Sequence, residues 1–496
     1  MSKPSKIVHT PIKNKAELIE WFQQSCTPAH QLLIGIEHEK PPFYLDTFHP
    51  VPYQSNTAKP AIKELLEKMV AKYAWRPQYE QGNIIALQKN NVDWTLEPGG
   101  QMETGGAPLK NVHQNARETD ATIREAVVAA KDIGIGLLAL GYQPTCPGNQ
   151  MPAMPKSRYR TWREYIEQQN FPHGLNGLFC TSTVQVNLGY ESEEDMVKKL
   201  RVALSLQPVV VALFANSPFS EGQPSGYESY RSHIVHNYMG GRYGFMLPIA
   251  FEKDFGFEKF VDYAMNDMPL LGIYKDDVLI DAKGGKFSDF MAGNLAVAPG
   301  QQATLADWEN HLNTIWPEVR LRRFLEMRGA DNGPAEMIKA LPAFWVGLLY
   351  DKQSLDAAYD MVRDWTNEDR EYLRTMTPQQ GLQTPFMNGT TTVQELAKNC
   401  LALAESGLKR RAIKDAHGND ESVYLKPLHE IAATGKNWAQ RLLERYHGAW
   451  NGDIGKLFAE QNYEKKPSVL KPAMQVAAHR VIPPKTPDHP RPGGAL

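Results

Sequence analysis

Two glutamates stand two residues apart in the segment IGIEHEK, residues 34–40. On a strand, Glu37 and Glu39 point to one side while Ile34, Ile36 and His38 point to the other. Neighbouring carboxylates on one sheet face repel each other. A divalent cation such as Mg²⁺, which takes hard oxygen ligands, would compensate them; a solvated edge strand is the bland alternative. A second acidic set occupies residues 92–108, VDWTLEPGGQMETGGAP. There Glu97 ends a strand, Pro98-Gly99-Gly100 turns the chain, and Gln101 and Glu103 resume on alternate positions. The glycines allow the backbone to approach a ligand closely, although an ordinary surface turn uses the same residues. A third set lies in residues 319–331, VRLRRFLEMRGAD. Read as one strand, it places Phe324, Glu326 and Arg328 on one face. A carboxylate beside an arginine is most often a structural ion pair. It also suits phosphoryl transfer, where an acid holds a metal and a guanidinium neutralises the moving phosphoryl group.

Basic side chains gather in residues 156–163, KSRYRTWR, with Lys156 and Arg158 among them, and in residues 230–242, which hold Arg231 and Arg242. Lys plus Arg total 54 against 56 Asp plus Glu, a formal charge of −2. With no basic excess to track a nucleic-acid or anionic membrane surface, small anions are the better partners for these arginines. The chain has no GxxxxGK[ST] loop, no GxGxxG after a strand and no GxSxG elbow, so any nucleotide is handled by another fold.

The elements that must carry these groups mix helices and strands without regular alternation. Residues 181–188, TSTVQVNL, alternate strictly: Thr183, Gln185 and Asn187 face one way, Val184, Val186 and Leu188 the other. One polar and one apolar face predict an antiparallel sheet with helices behind it, hence an α+β fold whose polar face is free for chemistry. Residues 115–133 read as an amphipathic helix. Ser192 caps another, with three acids in its first turn and a kink or break expected at Pro208. Helical spacing of Leu401, Leu403, Leu408, Trp438, Leu442, Leu443 and Tyr446 marks a C-terminal helical portion. The last sixteen residues contain five prolines and are expected to be an extended tail. The 496 residues and a 42% hydrophobic content supply a sizeable core. Four scattered cysteines, Cys26, Cys146, Cys180 and Cys400, form no CxxC pair, and the start lacks the apolar core of a signal peptide. A cytoplasmic protein, neither membrane-spanning nor disulfide-stapled, is expected.

Five segments in order, IGIEHEK, LEPGGQMETGGAP, PKSRYR, FANSPFSEGQPSGYESYRSHI and VRLRRFLEMRGAD, resemble the glutamate–cysteine ligases of plants and many proteobacteria. The similarity runs from about residue 32 to 350 and more loosely beyond. It implies a glutamine-synthetase-like fold, a curved, funnel-shaped antiparallel sheet of about six strands with outer helices. The implied organisation is a catalytic domain over residues 1–390, a packed helical portion over 391–465 and a tail over 466–496. It implies ATP-dependent joining of L-glutamate to L-cysteine with Mg²⁺, the first step of glutathione biosynthesis. Carried over, Glu37, Glu39, Glu97, Glu103 and Glu326 are metal ligands, and Arg328 stabilises the transferring phosphoryl group. Arg231 holds the glutamate α-carboxylate. Gln185, Asn187, Lys156 and Arg158 contact substrates. A related ligase with another amine acceptor, a metal-dependent phosphohydrolase and a non-catalytic binding protein are the competing readings. In plant members RSHI is commonly followed by Trp; here Val235 follows.

Overall fold

The alternation over residues 183–188 is realised in an eight-stranded antiparallel sheet. A computed structural model describes residues 10–236, 238–275 and 278–464; the expected tail, 466–496, lies outside them. The strands are β1 (Ile34–Lys40), β2 (Arg76–Glu80), β3 (Asn83–Lys89), β4 (Val92–Leu96), β5 (Met102–Gly105), β6 (Thr183–Leu188), β7 (Val319–Leu321) and β8 (Leu325–Asp331). Their order across the sheet is β7-β8-β6-β1-β5-β4-β3-β2, so the sheet is open and larger than the six strands expected.

One face is apolar. Ile34, Ile36, Val184, Val186, Leu188, Leu325 and Met327 are buried on it. They pack beneath α1 (Val112–Lys131), α3 (Glu193–Phe214) and α4 (Ala335–Leu349). Asn111 caps α1, its side chain accepting from Gln114 N, three residues before the expected start. Ser192 caps α3 as expected, accepting from Asp195 N. Of the kink or break expected at Pro208, no break occurs: α3 continues to Phe214, and burial of its second half offsets the lost hydrogen bond.

Residues 319–331 are not one strand. Arg322 N donates to Phe324 O at 2.8 Å, turning the chain between β7 and β8. The hairpin brings Arg320 directly opposite Glu326. The remaining helices of interest are α2 (Ser157–Gln169), α5 (Lys352–Val362), α6 (Asn367–Gln380) and α7 (Val393–Arg411). α7 and the next helix, Lys426–Thr434, pack within the main core, and the last two helices, Trp438–His447 and Gly455–Glu460, join a smaller cluster with Phe43 and Leu138. Tyr463 ends the described chain on this scaffold, its hydroxyl donating to Gly333 O at 2.7 Å. Among the described residues no helix is long and apolar enough to cross a membrane.

Candidate active site

Register places the acidic side chains in rows across the polar face. Arg320 lies opposite Glu326, and Glu326 opposite Asn187. Gln185 lies opposite Glu37, Glu37 opposite Gly105, and Gly105 opposite Asp93. Glu39 lies opposite Glu103, and Glu103 opposite Thr95. Because side chains of directly paired residues share a face, six strands deliver their polar groups to one surface. Above it is a cavity of about 320 Å³, lined by Glu37, Glu39, Glu97, Glu103, Gln185 and Arg328 together with Arg320 and an aromatic wall. Glu326 does not line it but lies fully buried beside Arg320 and Arg328, which do.

The turn that aims Glu97 has a local cause. Gly100 adopts φ +89°, a conformation a side chain disfavours, and Gly99 packs so closely that a Cβ there would stand 2.1 Å from Phe179 O. Gln101 fastens this contact, donating to Phe179 O at 3.1 Å and Thr181 O at 2.7 Å while accepting from Gly99 N at 3.0 Å.

Each carboxylate is held by its neighbours. Thr183 donates to Glu39 through both its amide and its hydroxyl at 3.0 Å. Thr95 donates to Glu103 at 2.9 Å, Asn187 to Glu37 at 2.7 Å, and the Tyr159 hydroxyl to Glu97 at 3.4 Å. Arg320 grips Glu326 Oε2 with Nε at 3.1 Å and Nη2 at 2.5 Å. Burial, with repulsion from Glu326 and Glu103, pushes Glu37 up to about 7. Burial, then Glu103 and Glu97, pushes Glu39 up to about 8. Burial would also raise Glu326, but Arg320 and then Arg328 hold it below the usual range. The face is thus polarised, with crowded acids at its centre and guanidiniums at one end.

Arg328 is held on one side only. Its Nη2 donates to the Tyr243 hydroxyl at 3.0 Å, and its guanidinium stacks over the Tyr243 ring at 4.8 Å. Nη1 lies 3.6 Å from Glu326 Oε1. Nε and Nη1 of Arg328, Oε1 of Glu326 and Oδ1 of Asn187 are buried without a hydrogen-bond partner among the described residues. Such groups are costly unless something else satisfies them. No three His, Cys, Asp or Glu side chains among the described residues close on a single point. Mg²⁺ does not require that, since it takes one or two carboxylates and completes its shell with water and phosphate oxygens. The all-oxygen donor set and the orphaned Glu326 oxygen fit such an ion.

Other expected substrate contacts stand elsewhere. Arg231 is buried behind this surface, donating to Asp331 at 2.6 Å and to Gly329 O. Asp331 also accepts from Ser217 and Ser229, so Arg231 belongs to a closed buried network rather than to the cavity wall. Lys156 and Arg158 lie behind Glu97 at the start of α2. Lys156 donates to Leu96 O at 2.7 Å, and Arg158 to the Tyr159 hydroxyl at 3.3 Å. Burial and the neighbouring Arg158 push Lys156 down to about 7. Several lining groups escaped the sequence reading: Arg320, Asp93, Thr95 and the aromatic Tyr238, Tyr243 and Trp316. Arg320 left a signal there, through its spacing from Glu326 across a possible hairpin turn.

Residues 33–460 match the model of glutamate-cysteine ligase family 2. The chain belongs to that family. Within it, the chain is 43% identical to the chloroplastic glutamate–cysteine ligase B of Oryza sativa subsp. japonica, over 90% of this chain and 87% of the relative. It is 44% identical to the chloroplastic glutamate–cysteine ligase of Nicotiana tabacum, over 90% and 83%. A crystal structure of a glutamate–cysteine ligase from Francisella tularensis in complex with AMP superposes with a TM-score of 0.49 at 11% identity, covering 88% of this chain and 89% of that one. The chloroplastic relatives overturn the cytoplasmic expectation. Scattered free thiols report a reducing environment, not an address.

Proposed function

We propose that this family member joins the γ-carboxylate of L-glutamate to the amine of L-cysteine, converting ATP to ADP and phosphate. The product is γ-glutamylcysteine, the first intermediate of glutathione biosynthesis. The observation that carries this reading is one cavity, in a member of this family, lined by four glutamates and by a guanidinium with two unsatisfied donors that lies beside a fifth, the fully buried Glu326.

A free carboxylate does not condense with an amine in water, because its oxygen is a poor leaving group. The γ-carboxylate oxygen therefore attacks the γ-phosphorus of ATP, and the bond to ADP breaks. The amine then attacks the acyl carbon and phosphate leaves. The protein's part is positioning and charge neutralisation. Mg²⁺ ions, each held by one or two of Glu37, Glu39, Glu97, Glu103 and Glu326, would offset phosphate charge. Arg328 offers Nε and Nη1 to the transferring phosphoryl oxygens. Arg320 keeps Glu326 ionised and oriented. Gln185 and Asn187 border the same space and are assigned to nucleotide or metal-bound water. Lys156 and Arg158 brace Glu97 through Leu96 and Tyr159, and Arg231 fixes β8 through Asp331. Tyr238, Tyr243 and Trp316 wall the cavity against water, which would hydrolyse the acyl phosphate. On this reading residues 1–390 hold the chemistry and 391–465 buttress the sheet.

Purified protein assayed for ADP release with glutamate and a panel of amines tests this. Cysteine should stimulate release and form γ-glutamylcysteine. Stimulation by other amines alone would make it a different carboxylate–amine ligase, and ATP consumption without any amine would make it a hydrolase.

A further inference from the structure

A second concave site lies away from the sheet, between α3, α5 and α6. It is a cavity of about 230 Å³ lined by Arg201, Phe251, Tyr359, Arg363, Trp365 and Arg370, with Val362 and Asn367 completing the wall. It shares no lining residue with the cavity above the sheet. No acidic side chain lines it.

Its arginines are built in. Arg370 is only 4% exposed. Its guanidinium stacks on Phe251 at 3.4 Å, Nε donates to Ser205 at 3.0 Å, and Nη1 donates to Asn367 at 3.2 Å. Arg201, one helical turn before Ser205, donates to the carbonyls of Ala250 and Glu252 at 2.7 Å each. Among the described residues neither guanidinium has a carboxylate within ion-pair distance. The neighbouring acid, Asp369, does not line the cavity or pair with Arg370, though its charge acts on it; its Oδ2 accepts from the amide and hydroxyl of Thr366 at the head of α6. Arg363, on the rim, is paired with Asp360 and Asp364.

Two guanidiniums oriented by neutral partners, in a concavity without acids, create a positive potential that a compact anion would satisfy. The planar guanidinium matches carboxylate and phosphate oxygens. The volume falls below the roughly 300–1,000 Å³ that suits larger organic ligands. We propose that this cavity binds a small tetrahedral oxyanion, inorganic phosphate or sulfate, independently of the sheet cavity.

Thermal melting of the full chain against sodium phosphate, sodium sulfate and sodium chloride at matched ionic strength tests the assignment. Phosphate or sulfate, but not chloride, should raise the melting temperature saturably, and the stronger of the two identifies the anion. Arg201→Gln and Arg370→Gln should each weaken the apparent affinity about tenfold or more, while Arg328→Lys in the sheet cavity should leave it unchanged. Arg370→Gln removes the Ser205 contact and could unfold the chain. In that case Arg201→Gln, whose side chain bonds only to carbonyls, decides. Unaltered binding in Arg201→Gln, loss in Arg328→Lys alone, or no saturable shift in the unmodified protein would each overturn the proposal. None of these results depends on ligase turnover, so the site stands or falls separately from the reaction.

Discussion

At the scale of single residues, the decisive feature is a guanidinium fixed from one side and open on the other. Tyr243 holds Arg328 by a hydrogen bond and by stacking, leaving Nε and Nη1 for an oxyanion. Lysine in place of Arg328 retains the charge but not the planar fork. Arg328→Lys should therefore lower kcat about 100-fold, in line with loss of one transition-state donor, while the KM for ATP changes little. Equal losses in kcat and in ATP affinity would make Arg328 a ground-state binder. Tyr243→Phe keeps the ring and removes the hydroxyl. Removing one hydrogen bond to a charged group costs about 1.5–3 kcal/mol, so kcat should fall roughly 10-fold or more while the unfolding midpoint stays near that of the unmodified protein. A matching fall in stability would make Tyr243 a packing residue instead.

At the scale of elements, the site depends on how tightly two turns are drawn. The turn after β4 is pinned where Gly99 meets Phe179 O, and a backbone carbonyl cannot retreat as a side-chain tip can. Gly99→Ala should destabilise the fold by about 1–3 kcal/mol in denaturant titration and, by displacing Glu97 and Glu103 together, weaken activity more than a surface Gly→Ala control. Activity equal to that control would show the turn to be remote from the chemistry. The same elements show what was legible in the sequence. Strict alternation over β6 announced both faces of the sheet, and the Glu37/Glu39 spacing announced which side carried the acids, because a strand's period is set by its backbone alone. Register was not legible. Nothing local in β1 says that Glu39 opposes Glu103, since pairing is fixed by turns and by the buried face. Treating residues 319–331 as one strand hid Arg320, because the turn at Arg322–Phe324 lacks the glycine or asparagine that marks most tight hairpins. The partner of Arg231 was not legible for a related reason: Asp331 lies 100 residues away.

At the scale of the molecule, a formal charge of −2 conceals a crowded acidic centre whose ionisation is linked to folding. Glu37 and Glu39, ordinarily near 4.5, are pushed to about 7 and about 8 by burial and then by repulsion from Glu326 and Glu103 on the first and from Glu103 and Glu97 on the second. Between those values and 4.5 the folded state binds more protons than the unfolded one, so stability must fall as pH rises through this window. Acidic groups held by arginines behave oppositely. Glu326, kept below its ordinary range, contributes stability that is lost on acidification. The Glu37 and Glu39 contribution, read as the melting temperature of the unmodified apo protein minus that of Glu39→Gln, should therefore fall from about pH 5 to pH 8. A divalent cation seated among these carboxylates favours their charged forms and binds the folded state. Saturating Mg²⁺ should then raise the melting temperature more at pH 8 than at pH 6, and chelation should restore the slope. Glu39→Gln removes the more strongly shifted group and should flatten the decline without added metal. A Glu39→Gln melting temperature that follows pH as the unmodified protein's does, or a Mg²⁺ effect equal at both pH values, would mean that the five glutamates are compensated within the protein and do not await a cation.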